Sequence, residues 1–198
     1  ESSGAIYIVG EAAATLARTL LEDQEYIARA QAFIDEQGWT ERDVAAPIGY
    51  RMMLASTPVD GATDEVDTIQ KNVIVTFKRQ IDVDGRLIDV LGDGGVMTVQ
   101  MENDGSVMNA AKVWRELSSP RDIVRIKTFD EALQEAQEQL TNPEAYQLGE
   151  WTWGYKELAG NVEQTQLPVV FAFGFVPVDP EMTMAYPPQF VEIRGEVE

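Results

Sequence analysis

Asn72-Val-Ile-Val-Thr-Phe-Lys-Arg-Gln-Ile-Asp-Val-Asp-Gly-Arg-Leu-Ile-Asp-Val-Leu-Gly-Asp-Gly-Gly-Val-Met-Thr-Val-Gln-Met-Glu-Asn-Asp-Gly-Ser-Val107 is the stretch that decides the fold. Val73, Val75, Phe77, Ile81 and Val83 fall on one face of an extended chain, and Thr76, Lys78, Gln80 and Asp82 on the other. That alternation is the period of a half-buried antiparallel strand. Asp84-Gly85 supplies the positive φ that a tight hairpin turn needs. A second strand is expected over Arg86 to Leu91, broken by Gly92-Asp93-Gly94-Gly95, and a third from Val96 to Glu102 with Met97, Val99 and Met101 on one side. Asn103-Asp104-Gly105 then turns the chain into Ser106 to Leu117. The stretch reads as a meander, with no catalytic pattern in it.

Helices are expected before it. Glu11 to Leu21 is rich in helix formers, with Leu16 and Leu20 spaced four apart. Gln24 to Gln37 follows, its Ile27, Ala30, Phe33 and Ile34 forming one stripe and Gly38 supplying a stop. Ile48 to Ser56 reads as strand, and Pro58 to Asp67 as a long loop or exposed hairpin tip. A second helix-then-strands order begins near Ile126. Thr128 with Glu131 three residues on is a capping box, opening a helix whose buried stripe is Phe129, Leu133, Ala136 and Leu140. Asn142-Pro143 ends it, and strands are expected over Gln147 to Leu158, Leu167 to Val176 and Gln189 to Val197. The chain therefore divides into residues 1–120, helices plus meander, and 121–198, a helix plus strands.

Charge and residue types bound the chemistry. The net charge of −19 over 198 residues opposes nucleic acid and anionic lipid as partners. Lysine is scarce, which suits a salt-rich or extracytoplasmic setting. Without cysteine there are no disulfides or thiolate nucleophiles. Without histidine, serine and cysteine triads and most zinc enzymes are excluded as complete sites on this chain. Carboxylate-pair hydrolysis and oxygen-ligand metal chemistry survive that test. No apolar run reaches the length of a membrane-spanning helix.

The stretch from Val73 to Val107 resembles the propeptides of fungalysin and thermolysin-type peptidases and the adjoining PepSY-like domains. Their pattern is an alternating strand ending in Phe-x-x-Gln, a short Asp-Gly or Asn-Gly hairpin, a Gly-Gly break, then a strand and another Asp-Gly turn. Phe77, Gln80, Gly85, Gly94, Gly95 and Asp104-Gly105 fit it, and Thr128 to Leu140 is similar to the helix that opens a PepSY-like unit. The likeness runs through residues 24–176 and is sharp in the middle third. It departs at Arg86-Leu87-Ile88, where family members carry Pro-Val. The resemblance implies a non-catalytic, extracytoplasmic module of cystatin-like topology that inhibits, chaperones or senses. No His-Glu-x-x-His is present to make the chain itself a metallopeptidase.

Three constellations compete with that reading. Asp82, Asp84, Asp89, Asp93 and Asp104 crowd the turns of the meander, but the register of a calcium loop is absent, so they read as turn residues. Trp151, Trp153 and Tyr155 lie on one face of a strand, and Phe171, Phe173 and Phe175 on one face of the next. Such stripes pack as core or, alternatively, make a platform for a glycan or apolar ligand. Carboxylates are many, and no spacing singles out a glycosidase pair.

The expectation is thus an α+β protein of two tandem cystatin-like units, each a helix packed on an antiparallel sheet. The expected function is a non-enzymatic protein-binding or regulatory module, secreted or held at the cell surface, with a peptidase or envelope component as partner. No catalytic, metal or cofactor residues are expected. The alternative is ligand or glycan binding through Trp151, Trp153 and Tyr155.

Overall fold

The structure, a computed structural model, describes residues 5–9, 20–40, 44–58, 66–117, 124–182 and 187–197, with 9, 44–58, 66–69 and 182 described by their backbone course alone. The described residues form nine strands and two α-helices. In chain order these are β1 (Ala5–Val9), α1 (Asp23–Glu36), β2 (Val44–Pro58), β3 (Val66–Val83), β4 (Arg86–Leu91), β5 (Val96–Met101), β6 (Val107–Val113), α2 (Phe129–Glu138), β7 (Tyr146–Lys156), β8 (Val169–Pro177) and β9 (Gln189–Arg194). Of the helix expected over Glu11 to Leu21, residues 11–19 lie outside the described residues, and Leu20 and Leu21 are not helical.

The quoted stretch folds as a meander around β3. Its alternation becomes burial: Val73, Val75 and Phe77 are sealed from solvent, while Ile74, Thr76 and Lys78 on the other face are partly exposed. Asp84 and Gly85 both take positive φ, 52° and 81°, which gives the hairpin to β4 the twist its strands require. Asp82 Oδ1 accepts the Gly85 N–H at 2.7 Å and locks the turn. On one edge of β3 runs β2, antiparallel from Val44 opposite Gln80 to Pro58 opposite Val66. On its other edge β4 and then β5 follow in succession, interrupted by Gly92–Gly95. Next to β5 come β6 and then β1, both antiparallel to their neighbours.

The expectation of two tandem cystatin-like units is overturned. Strand far outweighs helix, and the strands hydrogen-bond into one mixed sheet in the order β1-β6-β5-β3-β4-β7-β8-β9, with β2 paired off that path to β3. The link is a short parallel pairing, Val90 with Tyr155 and Leu91 with Lys156. Period-two alternation specifies that strands form and which face they bury. It carries no information about which strand edges meet.

Two clusters of buried side chains lie along this sheet. In the first, Tyr26, Ala30 and Ile34 of α1 pack on Val73, Val75, Phe77, Met97, Val99 and Met101. The Tyr26 hydroxyl also donates to the Asn103 carbonyl at 2.6 Å, tying the helix to the turn after β5. Phe77 is fully buried there, whereas Ile81 is half-buried, near the hairpin end. In the second, Ala132 and Ala136 of α2 pack on Phe171, Phe173 and Phe175 of β8 and Ile193 of β9. The capping box forms as expected: the Thr128 hydroxyl accepts the Glu131 N–H and the Glu131 carboxylate accepts the Thr128 N–H.

Candidate binding surface

β7 runs beside β8 along its whole length, placing Trp151 opposite Phe173, Trp153 opposite Phe171 and Tyr155 opposite Val169. Directly opposed side chains share a face, so all of these point to the α2 side of the sheet. The two strands nevertheless differ in burial. β8 is flanked by β7 and β9, and its Phe171, Phe173 and Phe175 are 5%, 1% and 1% exposed. Trp151 and Trp153 remain 46% and 37% exposed, and Tyr155 is half-buried. The sequence stripe therefore splits, with the phenylalanines as core and the two indoles as its rim.

Two ring contacts hold the indoles from the inner side. The Phe129 ring of α2 lies 4.6 Å from Trp151 and 6.0 Å from Phe173, and Trp153 stacks on Phe171 at 6.5 Å. Such aromatic contacts fix ring orientation while leaving the outer faces wet.

Backbone geometry adds a second feature to the same residues. The Glu157 N–H donates to the Leu91 carbonyl on the β4 side, and the Lys156 N–H to the Pro168 carbonyl on the β8 side. Amide direction alternates along a strand, so Trp151 and Trp153 turn their N–H and C=O groups toward the β4 side. Pairing with β4, however, starts only at Tyr155. Gly154 marks where β4 crosses, because a Cβ there would sit 2.1 Å from the Asp89 carbonyl oxygen. From Trp153 back toward Gln147 the outer edge of β7 has no strand partner among the described residues.

The electrostatic surroundings are acidic. Over residues 124–182 and 187–197 there are twelve carboxylates and four cations. Each cation is paired: Arg125 with Glu131, Lys127 with Glu135, Lys156 with Glu192 and Arg194 with Glu196. Glu150 precedes Trp151 on the strand and is exposed, as are Glu144 before the strand and Asp130 beside Phe129.

The charges that sequence reasoning missed lie at the junction with β4. Arg79 and Glu157, 2% and 0% exposed, form an ion pair at 2.9 Å. Arg115 gives its N–H to the other Glu157 oxygen at 2.6 Å, and its guanidinium reaches the carbonyls of Leu158 and Ala159. The Arg79 guanidinium also lies 5.2 Å from the centre of the Trp114 ring. One signal was available. Arg79 falls in the odd register of β3, on the apolar face, where a cation requires a buried partner. Nearby, burial lowers the Lys78 ammonium below its ordinary value against the pull of Asp93, while its Nζ donates to the Gly92 carbonyl at 2.7 Å.

Two of the turn aspartates, Asp82 and Asp104, accept backbone N–H groups of their own turns. Asp104 Oδ1 accepts from the Ser106 hydroxyl at 2.6 Å and the Ser106 N–H at 2.9 Å, and these bonds hold its carboxyl below the usual aspartate range. No group of three or more carboxylates is arranged to hold a metal ion among the described residues. Nor, among them, is any helix long and apolar enough to cross a membrane. An open groove of about 430 Å³ is lined by Lys156, Glu163, Gln164, Glu192 and Arg194 together with Pro168 and Val170. Its Lys156 and Arg194 are already paired. The chain matches no protein-family model, no curated protein and no solved structure.

Proposed function

We propose that the chain is a non-catalytic, extracytoplasmic protein-binding module that engages its partner through the β7 edge. The observation that carries this is the coincidence, at Trp151 and Trp153, of exposed indoles with a strand edge that has no partner among the described residues. Tryptophan dominates the energetics of protein interfaces, and an open edge offers ready backbone donors and acceptors. The lack of histidine and cysteine supports a binding role over a catalytic one. The scarcity of lysine supports a setting outside the cytoplasm, and the likeness to PepSY-like and propeptide domains favours a peptidase or envelope component as partner. The test is affinity capture from the envelope and secreted fractions with the wild type and with Trp151→Ala/Trp153→Ala, beside a hydrolase panel on the purified chain. A protein retained by the wild type and lost by the variant supports the reading. Turnover abolished by a single Asp or Glu substitution overturns it.

A second reading is ligand or glycan binding on Trp151, Trp153 and Tyr155. It is favoured by the two indoles lying two residues apart on one face, a spacing on which sugar rings stack. Titration with oligosaccharides followed by tryptophan fluorescence separates it from the first.

A further inference from the structure

We infer that the occupant of the β7 edge is an extended, basic segment of another protein, added to the sheet as a further strand; this rests on the protein-binding reading above. Three observations converge on that chemistry. First, the residues whose indoles are exposed are the same ones whose backbone N–H and C=O groups face the side with no strand partner among the described residues. An extended chain laid there satisfies both at once, since alternate residues bring their side chains to one face while the backbone pairs. A compact surface or a sugar would use the indoles and leave the amides to water.

Second, the edge has a defined length. Gly154 is where β4 crosses, so an added strand stops at Trp153 and extends toward Gln147. Gly149 interrupts the β7–β8 register between Leu148 and Glu150, which bends the far end of the edge. The site therefore takes a short segment, not a long sheet.

Third, the charges select the sign of the segment. The four cations of residues 124–182 and 187–197 are paired within the chain, while Glu150 on the strand, Glu144 before it and Asp130 beside Phe129 are exposed and make no ion pair among the described residues. Glu150 lies on the face opposite the indoles, its Cγ 2.9 Å from the place a Cβ on Gly174 would occupy. A strand with apolar residues over Trp151 and Trp153 would thus put its alternate residues on the face of Glu150. Lysine or arginine fits there, and a carboxylate is repelled. The same charges disfavour a second copy of this chain, itself at −19.

The experiment uses the full chain and a capped octapeptide of alternating lysine and valine. Intrinsic tryptophan fluorescence gives affinity, and amide NMR shifts locate the contact. Saturable binding is expected, with shifts at Trp151 and Trp153. Methylating two amides two residues apart, on the side of the peptide that faces β7, keeps its side chains but removes two strand hydrogen bonds, and is expected to weaken binding about tenfold. Exchanging lysine for glutamate in the peptide is expected to abolish binding. Glu150→Lys, which changes only an exposed side chain, is expected to weaken the lysine peptide and admit the glutamate one.

Equal binding of the methylated peptide overturns strand addition, and equal binding of the acidic peptide overturns the charge selection. Cellohexaose binding where peptides do not bind overturns the proposal in favour of the glycan reading. A concentration-dependent dimer broken by Trp151→Ala/Trp153→Ala overturns it in favour of self-pairing. If no peptide binds while the captured partner is still lost from that double variant, this inference fails and the broader reading stands. If the double variant captures the same protein as the wild type, the broader reading fails as well.

Discussion

Arg79 of β3 and Glu157, the residue after β7, meet at 2.9 Å with 2% and 0% of their side chains exposed. They stand on opposite sides of the only stretch where β4 and β7 pair, among the described residues. The Gly94 N–H donates to the Glu157 carbonyl and the Arg79 N–H to the Gly95 carbonyl, so the backbone around each charge is pinned to the same glycine-rich break. A break that the sequence presents as a gap between strands is thus the place where the rest of the sheet is attached.

Removing one member of that pair leaves the other charge buried with fewer partners. Arg79→Met is expected to cost about 3–5 kcal/mol of unfolding free energy. Arg79→Met/Glu157→Met is expected to cost less than the sum of the two single changes, because no uncompensated charge remains. Urea denaturation of the three variants measures this, and simple additivity would contradict the coupling.

Two glycines separate strain from space. Gly85 has open space around its missing side chain but a φ of 81°, so Gly85→Val is expected to cost about 1–2 kcal/mol through backbone strain. Gly154 has no positive φ among the described residues, but a Cβ there would meet the Asp89 carbonyl oxygen at 2.1 Å. Gly154→Ala is expected to cost about 1–3 kcal/mol by forcing β4 away from β7. Gly85→Asn, which tolerates left-handed backbone, should be nearly silent in thermal melts, while Gly154→Asn should be worse than Gly154→Ala.

The α2 cap carries a pH signature. Hydrogen bonds from the Thr128 N–H and hydroxyl, with the Arg125 and Lys127 charges adding to them, hold the Glu131 carboxyl below its ordinary value. A carboxyl depressed in the folded state stabilises fully above its unfolded value, and that stabilisation is lost as pH falls through the folded one. The stability gap between wild type and Glu131→Gln should therefore be constant near neutrality. It should narrow as pH drops through and below the usual glutamate range. A gap that widens on acidification would contradict the assignment.

Charge density predicts the response to salt. With a net charge of −19, self-repulsion opposes the compact state, and it is screened over about 10 Å at 0.1 M ionic strength. The melting temperature should rise by several degrees between low salt and molar sodium chloride, equally for potassium chloride. Calcium should add nothing at matched ionic strength, because Asp82 and Asp104 are engaged with Gly85 and Ser106. A calcium-specific rise reversed by EDTA would show that those turns bind the ion.

Much of the local structure was legible because its determinants are local. Alternation from Val73 to Phe77, the Asp84-Gly85 turn and the Thr128–Glu131 cap each need only a few neighbouring residues, and each formed as read. β1 was not foreseen, since Ala5–Val9 is five residues whose pairing with β6 is entirely remote. The parallel β4–β7 junction was hidden for the same reason, and with it the continuity of the sheet. At the candidate surface, the face of Trp151, Trp153 and Tyr155 was readable from spacing. Their exposure was not, because it follows from β4 leaving the edge at Gly154.

The junction also orders events in time. Glu157 lies 78 positions after Arg79. At about 5–20 residues per second of synthesis, the arginine emerges roughly 4–16 s before its carboxylate. The hairpin turn at Gly85 closes within microseconds by comparison. The meander is therefore complete while its attachment point at Gly92–Gly95 still waits for the rest of the chain. During that interval the β4 edge at Val90 and Leu91 is open to any passing strand, and the surplus negative charge keeps nascent copies of this chain apart.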